Sequence, residues 1–217
     1  MKYPIGTVFS LSECNPPIPG CTVSEAVTSG ELPAVCYSLA EHTDISAEIY
    51  FSHKLLILAA GELAVRLPGG KEPVLSPLCG FVAPTDVPVG VSTDTSAVYL
   101  EIPLRRNQFM NQAVKIGEVF RLGELVPYQD GKIVNMDVTS GKTMKFALMA
   151  FDAGTGLSEH AAPGDALIFA LDGEGVIGYE GEEHVIRAGE NFRFARGGKH
   201  YVRADKRFKM ALFLTLE

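Results

Sequence analysis

The sequence predicts an all-β chain built from two copies of one domain. The tetrapeptide Val-Thr-Ser-Gly begins at residue 27 and again at residue 138, an offset of 111. Short apolar segments are separated by glycine and proline, and few segments have helical periodicity. A repeat of about 110 residues has the size of a whole domain, and many short strands are typical of a sandwich or a barrel. We therefore predict two tandem β-domains, residues 1–110 and 111–217.

The repeat extends beyond the tetrapeptide. Residues 6–11 align with 117–122 at the same offset of 111, and with one more residue of offset Gly61-Glu62 aligns with Gly173-Glu174. Since the two halves descend from one pattern, a candidate site in one half can be compared with the matching positions of the other.

Alternation of apolar and polar residues predicts the individual strands. The segments 68–71 and 180–183 are turn-forming and lie between paired strands. One segment, 105–114, has helical spacing, and we predict a helix there that links the two domains. The predicted strands are 33–39, 48–50, 55–58, 62–67, 80–83 and 97–104 in the first half, and 144–151, 166–171, 175–179, 184–187, 191–195 and 208–216 in the second.

The composition is that of a soluble globular protein. Of the 217 residues, 47% are hydrophobic and 21% are charged, which are ordinary values. No apolar run reaches the roughly 20 residues that span a bilayer, and the first residues lack the apolar stretch of a secretory signal. The net charge of −7 disfavours a nucleic-acid binder. We expect a cytoplasmic protein with neither nucleic-acid nor membrane partners.

The four cysteines, Cys14, Cys21, Cys36 and Cys79, all lie in the first half. None forms a Cys-x-x-Cys pair, so a zinc ribbon or a thioredoxin-type site is not indicated. We expect free thiols in a reducing compartment.

Two motifs in the second half carry the candidate chemistry. The first is Glu-His-Ala-Ala-Pro-Gly-Asp-Ala-Leu at 159–167, followed by Leu-Asp-Gly-Glu at 171–174. The second has glycine at 189, Ala-Arg-Gly at 195–197 and histidine at 200. These motifs resemble those of the cupin superfamily, specifically its small cupin-2-type members, over residues 138–217. With the duplication, the resemblance implies a bicupin: two tandem cupin β-barrels of jelly-roll type related by a pseudo-twofold axis, the first of them divergent.

The resemblance implies a partial metal site. Cupins usually hold a divalent transition metal with two histidines and a carboxylate from the first motif and one histidine from the second. Here His160 and His200 occupy the first and last positions, whereas Ala162 and Ala166 occupy the other two.

Two interpretations of the histidine pair follow. A transition metal suits a mixed set of imidazole and carboxylate ligands, so a metal bound by His160 and His200 would need help from Glu159, Asp165 or water. Alternatively, both histidines are hydrogen-bonding, ligand-facing side chains without a metal, converging on one pocket.

The first half provides an internal comparison. The positions that match His160 and His200 are Glu48 and Val89. His53 matches Asp165 rather than a histidine position. The first barrel is therefore interpreted as structural, although a pocket for an apolar molecule in it stays open.

Positive charge is concentrated near the second motif. Eight basic residues lie between Arg187 and Lys209, against Glu190 and Asp205. This stretch would draw an anionic ligand toward a nearby pocket, or it is the solvated outer face of the strands. The same two interpretations apply to Arg193, whose counterpart in the first half is Val82. If its side chain points inward, it would bind a carboxylate or a phosphate. If it points outward, it belongs to the basic face.

Three functions remain open at this point. The first is a small-molecule-binding bicupin with its pocket in the C-terminal barrel. The second, implied by the resemblance, is a metal-dependent oxygenase, isomerase or decarboxylase acting on a small oxygenated substrate; without a metal, His200 would act as a general base. The third is a scaffold or interaction protein in which both pockets are vestigial. We expect a monomer with pseudo-dimeric barrels or a homodimer.

Overall fold

The computed structural model describes residues 3–28, 33–106 and 108–216, and these residues are almost entirely strand. The exceptions with regular structure are helix α1 (Leu11–Cys14) and a 3₁₀ turn at Leu122–Glu124. The strands, numbered in chain order, are β1 (Val8–Phe9), β2 (Thr22–Ala26), β3 (Val35–Leu39), β4 (Thr43–Ile49), β5 (Lys54–Gly61), β6 (Leu63–Arg66), β7 (Val74–Leu75), β8 (Cys79–Ala83), β9 (Pro88–Thr93), β10 (Ala97–Pro103), β11 (Phe109–Met110), β12 (Val119–Arg121), β13 (Ile133–Ser140), β14 (Met144–Phe151), β15 (Thr155–Ala161), β16 (Asp165–Tyr179), β17 (Glu182–Arg187), β18 (Asn191–Phe194), β19 (Lys199–Ala204) and β20 (Phe208–Thr215). The prediction of an all-β fold is confirmed.

The chain divides into two compact units. The C-terminal unit contains residues 122–216 with the short segments 3–10 and 109–111, and the N-terminal unit contains 11–108 with 112–121. This division differs from the predicted one, 1–110 and 111–217, because each unit includes a short strand encoded in the other half of the sequence.

The exchanged strands are β1 and β12. In the C-terminal unit β1 pairs with β18, with Val8 opposite Phe192. In the N-terminal unit β12 pairs with β8, with Val119 opposite Phe81. Each strand covers a sheet edge whose unpaired backbone groups would otherwise be exposed. The two pairs correspond at the offset of 111, since Val8 matches Val119 and Phe81 matches Phe192.

In the C-terminal unit, one ten-stranded sheet follows the order β1-β18-β16-β20-β14-β13-β11, with β15, β17 and β19 joined through β16. The two strands predicted at 166–171 and 175–179 are one strand of 15 residues, β16. Its two ends pair with different partners, β18 and β19, so β16 connects the parts of the sheet that carry the two motifs.

In the N-terminal unit, six strands form a sheet in the order β12-β8-β5-β10-β3-β2, and four form a second sheet in the order β4-β9-β6-β7. The core of this unit is apolar and includes Leu56, Leu58, Phe81 and Val91. The four cysteines are thiols and form no disulfide in the described part of the chain, as predicted. No helix in the described part of the chain is long and apolar enough to span a membrane.

The helix predicted at 105–114 is wrong; residue 107 lies outside the described residues. Phe109 and Met110 form β11, which pairs with β13. The backbone N–H of Asn111 donates to the carbonyl of Val138, and its side-chain amide donates to the carbonyl of Asp137. Phe109 is 54% exposed, so the apolar side that the helical spacing suggested has no core to cover. Pairing with a neighbouring strand overrides a weak local preference.

A bulge glycine occurs at the same place in both units. Gly61 and Gly173 have φ values of 83° and 72°, and each lies opposite the start of the last strand, β10 or β20. A Cβ atom on Gly61 would lie 1.9 Å from the carbonyl oxygen of Ser96, and one on Gly173 would lie 2.0 Å from that of Arg207. Both the backbone conformation and the close approach therefore require glycine.

We expect Gly173→Ala to lower the free energy of unfolding by about 3 kcal/mol, because the new methyl group meets a backbone oxygen that a side-chain rotation cannot move. The matched control is Gly131→Ala. Gly131 also has a positive φ, 67°, but the space around the new methyl group is open. This variant should lower the free energy of unfolding by only about 1 kcal/mol. Urea denaturation measures both. Equal losses would show that the close contact at Gly173 contributes nothing.

Candidate functional site: a cross-strand histidine pair

The antiparallel pair β15–β19 brings the two motif histidines together. Leu157 lies opposite Val202 and His160 lies opposite His200, so three residues of β15 are matched by two residues of β19. The extra residue is a β-bulge, which bends a strand and re-aims its side chains. The prediction that the two histidines converge depends on this register.

The imidazole rings are in contact. The ring centroids of His160 and His200 are 4.2 Å apart with an interplanar angle of 53°. His200 also stacks on Phe194, at 4.0 Å and 27°, and Phe194 packs against Tyr179. His200 is 8% exposed, whereas His160 is exposed. The pair therefore has one side in the core and one side open to solvent.

Backbone carbonyls fix the tautomer of both rings. Nδ1 of His160 lies 2.8 Å from the carbonyl oxygen of Ser158, and Nδ1 of His200 lies 3.1 Å from that of Gly198. Because a carbonyl oxygen only accepts, Nδ1 carries the hydrogen in each ring. The two Nε2 atoms are then acceptors when the rings are neutral, and neither has a hydrogen-bond partner among the described residues.

Burial lowers the pKa of His200. The hydrogen bond to the Gly198 carbonyl opposes this shift, and the proximity of His160 adds to it. At neutral pH His200 is thus a neutral imidazole with an available lone pair, which is the form that accepts a proton or a hydrogen bond.

The other two ligand positions of the motif carry methyl groups that belong to the core. Ala162 and Ala166 are 4% and 5% exposed and pack in the same apolar cluster as Phe194. In the described part of the chain, no three histidine, cysteine, aspartate or glutamate side chains lie close enough together to hold a metal ion. The donor set therefore does not fit the metal that the resemblance implies.

The two carboxylates considered as helpers have contacts outside the histidine pair. Asp165 accepts a hydrogen bond from the backbone N–H of Arg196 at 2.9 Å. Glu159 lies in the bulge and lines a shallow surface cavity of about 290 Å³, together with Tyr201 and Arg203. Neither carboxylate completes a ligand set with the pair.

Arg193 is neither an inward pocket residue nor part of a solvated face. Strand alternation places it on the face of β18 opposite to Phe192 and Phe194, and it is 8% exposed. Its guanidinium donates to the carbonyl of Tyr3 at 3.2 Å, while the backbone N–H of Gly6 donates to the carbonyl of Arg193. Arg193 thus anchors the N-terminal segment that contains β1.

Most arginines of the basic stretch are already ion-paired. Arg187 contacts Glu174, Arg203 contacts Glu183 at 2.6 Å, and Arg207 contacts Asp152 at 2.9 Å. Three of the eight basic residues of this stretch are thus compensated by carboxylates at the protein surface, which supports the outer-face interpretation.

The N-terminal unit repeats the bulged strand pair with different side chains. In β4–β9, Ile45 lies opposite Val91 and Glu48 lies opposite Val89, with the same irregularity between the two positions. The comparison that gave Glu48 and Val89 as counterparts of the histidines is therefore correct in three dimensions. The same offset places Tyr50 and Lys54 at the positions of Ala162 and Ala166, a polar substitution that the sequence analysis did not pursue.

Comparison with known proteins identifies the fold. Residues 147–216 match the Cupin_2 family, described as a cupin domain. No curated protein matches the sequence. The chain is similar to the solved "Cupin 2 conserved barrel domain protein" from Leptotrichia buccalis, with 22% identity, 99% of each chain covered and a TM-score of 0.86.

Two enzymes of the same fold are more distant. The chain is similar to salicylate 1,2-dioxygenase from Pseudoaminobacter salicylatoxidans, with 12% identity, coverage of 85% and 70% of the two chains and a TM-score of 0.59. It is also similar to a mutant of the oxalate decarboxylase from Bacillus subtilis, with 14% identity, coverage of 98% and 77% and a TM-score of 0.54. The family match thus covers residues 147–216, and the likeness to these structures shows a shared fold.

Because His200 is buried, we expect the protein to lose stability in mild acid. Because the folded-state pKa of His200 lies below its ordinary value of 6.5, the unfolded chain binds a proton first as the pH falls. The stabilisation is complete above pH 6.5 and decreases below it, with a slope of at most about 1.4 kcal/mol per pH unit. His200→Gln should flatten the profile of unfolding free energy between pH 7 and pH 5. Equal slopes for wild type and His200→Gln would contradict this.

The donor set predicts weak binding of divalent cations. Two imidazoles without a third ligand should give less than about a tenth of an equivalent of metal after gentle purification, because a transition-metal site normally needs at least three protein ligands. Elemental analysis measures the content, and thermal unfolding with added Mn²⁺ or Zn²⁺ measures the residual affinity. A stoichiometric metal that is lost in His160→Gln would overturn the interpretation.

Proposed function

We propose that this protein is a two-barrel cupin that binds a small organic acid at the histidine pair of its C-terminal barrel. The observation that carries the proposal is the facing pair of imidazoles with both Nδ1 hydrogens committed to backbone carbonyls. The two available Nε2 atoms set the chemistry that the ligand must match.

The two-barrel part rests on the repeated strand register. Both bulges recur at an offset of 112 residues, at Glu48 and His160 and at Gly61 and Gly173. Support also comes from the full-length likeness to the Leptotrichia buccalis protein, which covers 99% of both chains. A duplicated cupin domain accounts for both observations.

The ligand class follows from the protonation of the pair. Two neutral Nε2 acceptors bind a molecule that brings its own hydrogen-bond donor, and a carboxylic acid does so with a single acidic hydrogen. Transfer of that hydrogen to His200 gives an imidazolium next to a carboxylate, a charge-assisted hydrogen bond that is stronger than a neutral one. The names of the two similar enzymes refer to oxalate and to salicylate, and both compounds are small organic acids.

The metal-dependent enzyme is the less favoured alternative. One study of the Bacillus subtilis oxalate decarboxylase concerns its Mn(II) centres, but the alanines at 162 and 166 remove two ligand positions in this chain. The pair itself would bind the acid and hold its proton, while the apolar surroundings of Phe194 exclude water from the buried side.

Calorimetric titration with oxalate and with salicylate tests the proposal. We expect His160→Gln and His200→Gln each to weaken binding of the preferred acid by about tenfold or more, as for the loss of a hydrogen bond to a charged group. His42→Gln, in the N-terminal unit, is the matched control. Affinity should rise as the pH falls from 8 toward 6.5, by up to about tenfold per unit, because one proton enters the complex. Equal affinity of wild type and both pair variants, or no detectable binding of either acid at any pH, would reject the proposed site.

A further inference from the structure

The N-terminal unit contains a buried ion pair where the C-terminal unit is apolar. Nζ of Lys54 lies 2.6 Å from a carboxylate oxygen of Glu101, and the carboxylate-bearing residue is 7% exposed. The matching residues in the C-terminal unit are Ala166 and Leu212, which the ladder registers place at the same positions. A buried ion pair is costly to desolvate, and the C-terminal unit shows that this fold does not require it.

Three tyrosines surround the ion pair. Nζ of Lys54 lies 4.0 Å from the ring centroid of Tyr50, and the rings of Tyr37 and Tyr99 stack at 5.0 Å and 8°. Tyr37 and Tyr99 are direct cross-strand partners, and their counterparts are Met149 and Met210, again a cross-strand pair. The polar groups therefore form one cluster, and each has an apolar counterpart.

No hydroxyl group of these tyrosines is among the buried polar atoms that lack a hydrogen-bond partner in the described part of the chain, although the residue Tyr99 as a whole is only 2% exposed. Burial, and after it the negative charge of Glu101, raises the pKa of each of the three phenols. All three stay protonated at neutral pH and present O–H donors. Each hydroxyl is both a donor and an acceptor, so three of them close together can bind a ligand that replaces solvent.

Solvent reaches the cluster from one side. Glu48, at the bulge position that matches His160, is exposed, and Tyr37, Tyr50 and Lys54 are half-buried. The cluster lies on the core-facing side of its strands, since Tyr99 and Tyr37 pack with the core of the unit. Glu48 marks the solvent-exposed end of this polar cluster.

The geometry points to a second ligand site, at Tyr37, Tyr50, Lys54, Tyr99 and Glu101, for a small uncharged molecule with neighbouring hydroxyl or carbonyl oxygens. The charge of Lys54 is compensated by Glu101, and the carboxylate of Glu48 at the exposed end repels an anion. A cation would have to displace the Lys54 ammonium from the Tyr50 ring. Hydroxyl groups on adjacent carbons match the mixed set of phenol donors, ammonium hydrogens and carboxylate oxygens.

A matched series of three-carbon probes tests the site: glycerol is neutral, glycerate is an anion and serinol is a cation. Protein labelled with ¹³C on the tyrosine rings reports on each tyrosine separately, and the seven signals are assigned with Tyr→Phe variants. Probes are titrated to about 100 mM, since ligands of about six non-hydrogen atoms bind weakly. We expect saturable shifts of Tyr37, Tyr50 and Tyr99 with glycerol, at least about tenfold weaker binding of the charged probes, and no shift of Tyr128 or Tyr201 in the C-terminal unit.

The repeat supplies a variant that should fold. Lys54→Ala combined with Glu101→Leu copies the C-terminal unit, and exchange of a buried ion pair for apolar residues is often neutral for stability. This variant and Tyr99→Phe should each weaken the glycerol response by about tenfold, while His200→Gln should leave it unchanged. Absence of any saturable shift of the three tyrosines with glycerol would overturn the proposal, as would tighter binding of glycerate or serinol. Because His200→Gln affects only the organic-acid site, the two sites can fail independently.

Discussion

The arrangement of this protein depends on the register of one bulged strand pair. Three residues of β15 match two residues of β19, so His160 faces His200. Without the extra residue, the alternation of the strand would turn His160 to the opposite face, since a shift of one residue exchanges the two faces of a strand. The same register in β4–β9 places Glu48 against Val89. The backbone register of this strand pair is thus shared, whereas its side chains differ between the two units.

The two units share a strand pattern but carry their polar side chains at different positions. In the C-terminal unit the histidine pair is the polar element, and alanine, methionine and leucine fill the rest of the equivalent positions. In the N-terminal unit the histidine positions are lost, whereas Lys54, Glu101 and three tyrosines appear where the other unit is apolar. Since a buried ion pair is costly to desolvate and the C-terminal unit has none at these positions, we attribute this set to ligand binding rather than to packing.

Repetition made much of the fold predictable from the sequence. Strand segments such as 97–104 and 144–151 have strong apolar patterns, and the offset located Glu48 and Val89 correctly. The failures are those of local reasoning. The 105–114 segment has helical spacing but pairs with β13 through β11, and Arg193 is buried by the N-terminal segment, a contact that no local pattern encodes. The same offset predicts Tyr50 and Lys54 as the counterparts of Ala162 and Ala166. The ion pair between Lys54 and Glu101 is not predictable in this way, because it joins two strands that lie far apart in the sequence.

Nuclear magnetic resonance of the two histidine rings tests the central claim most directly. With centroids 4.2 Å apart, ring protons of His160 and His200 should show a mutual nuclear Overhauser effect, and both rings should be Nδ1–H tautomers at neutral pH. The pKa of His200 should rise in His160→Gln, because His160 contributes to lowering it. Rings without a mutual effect, each titrating independently of the other, would contradict the register on which this account depends.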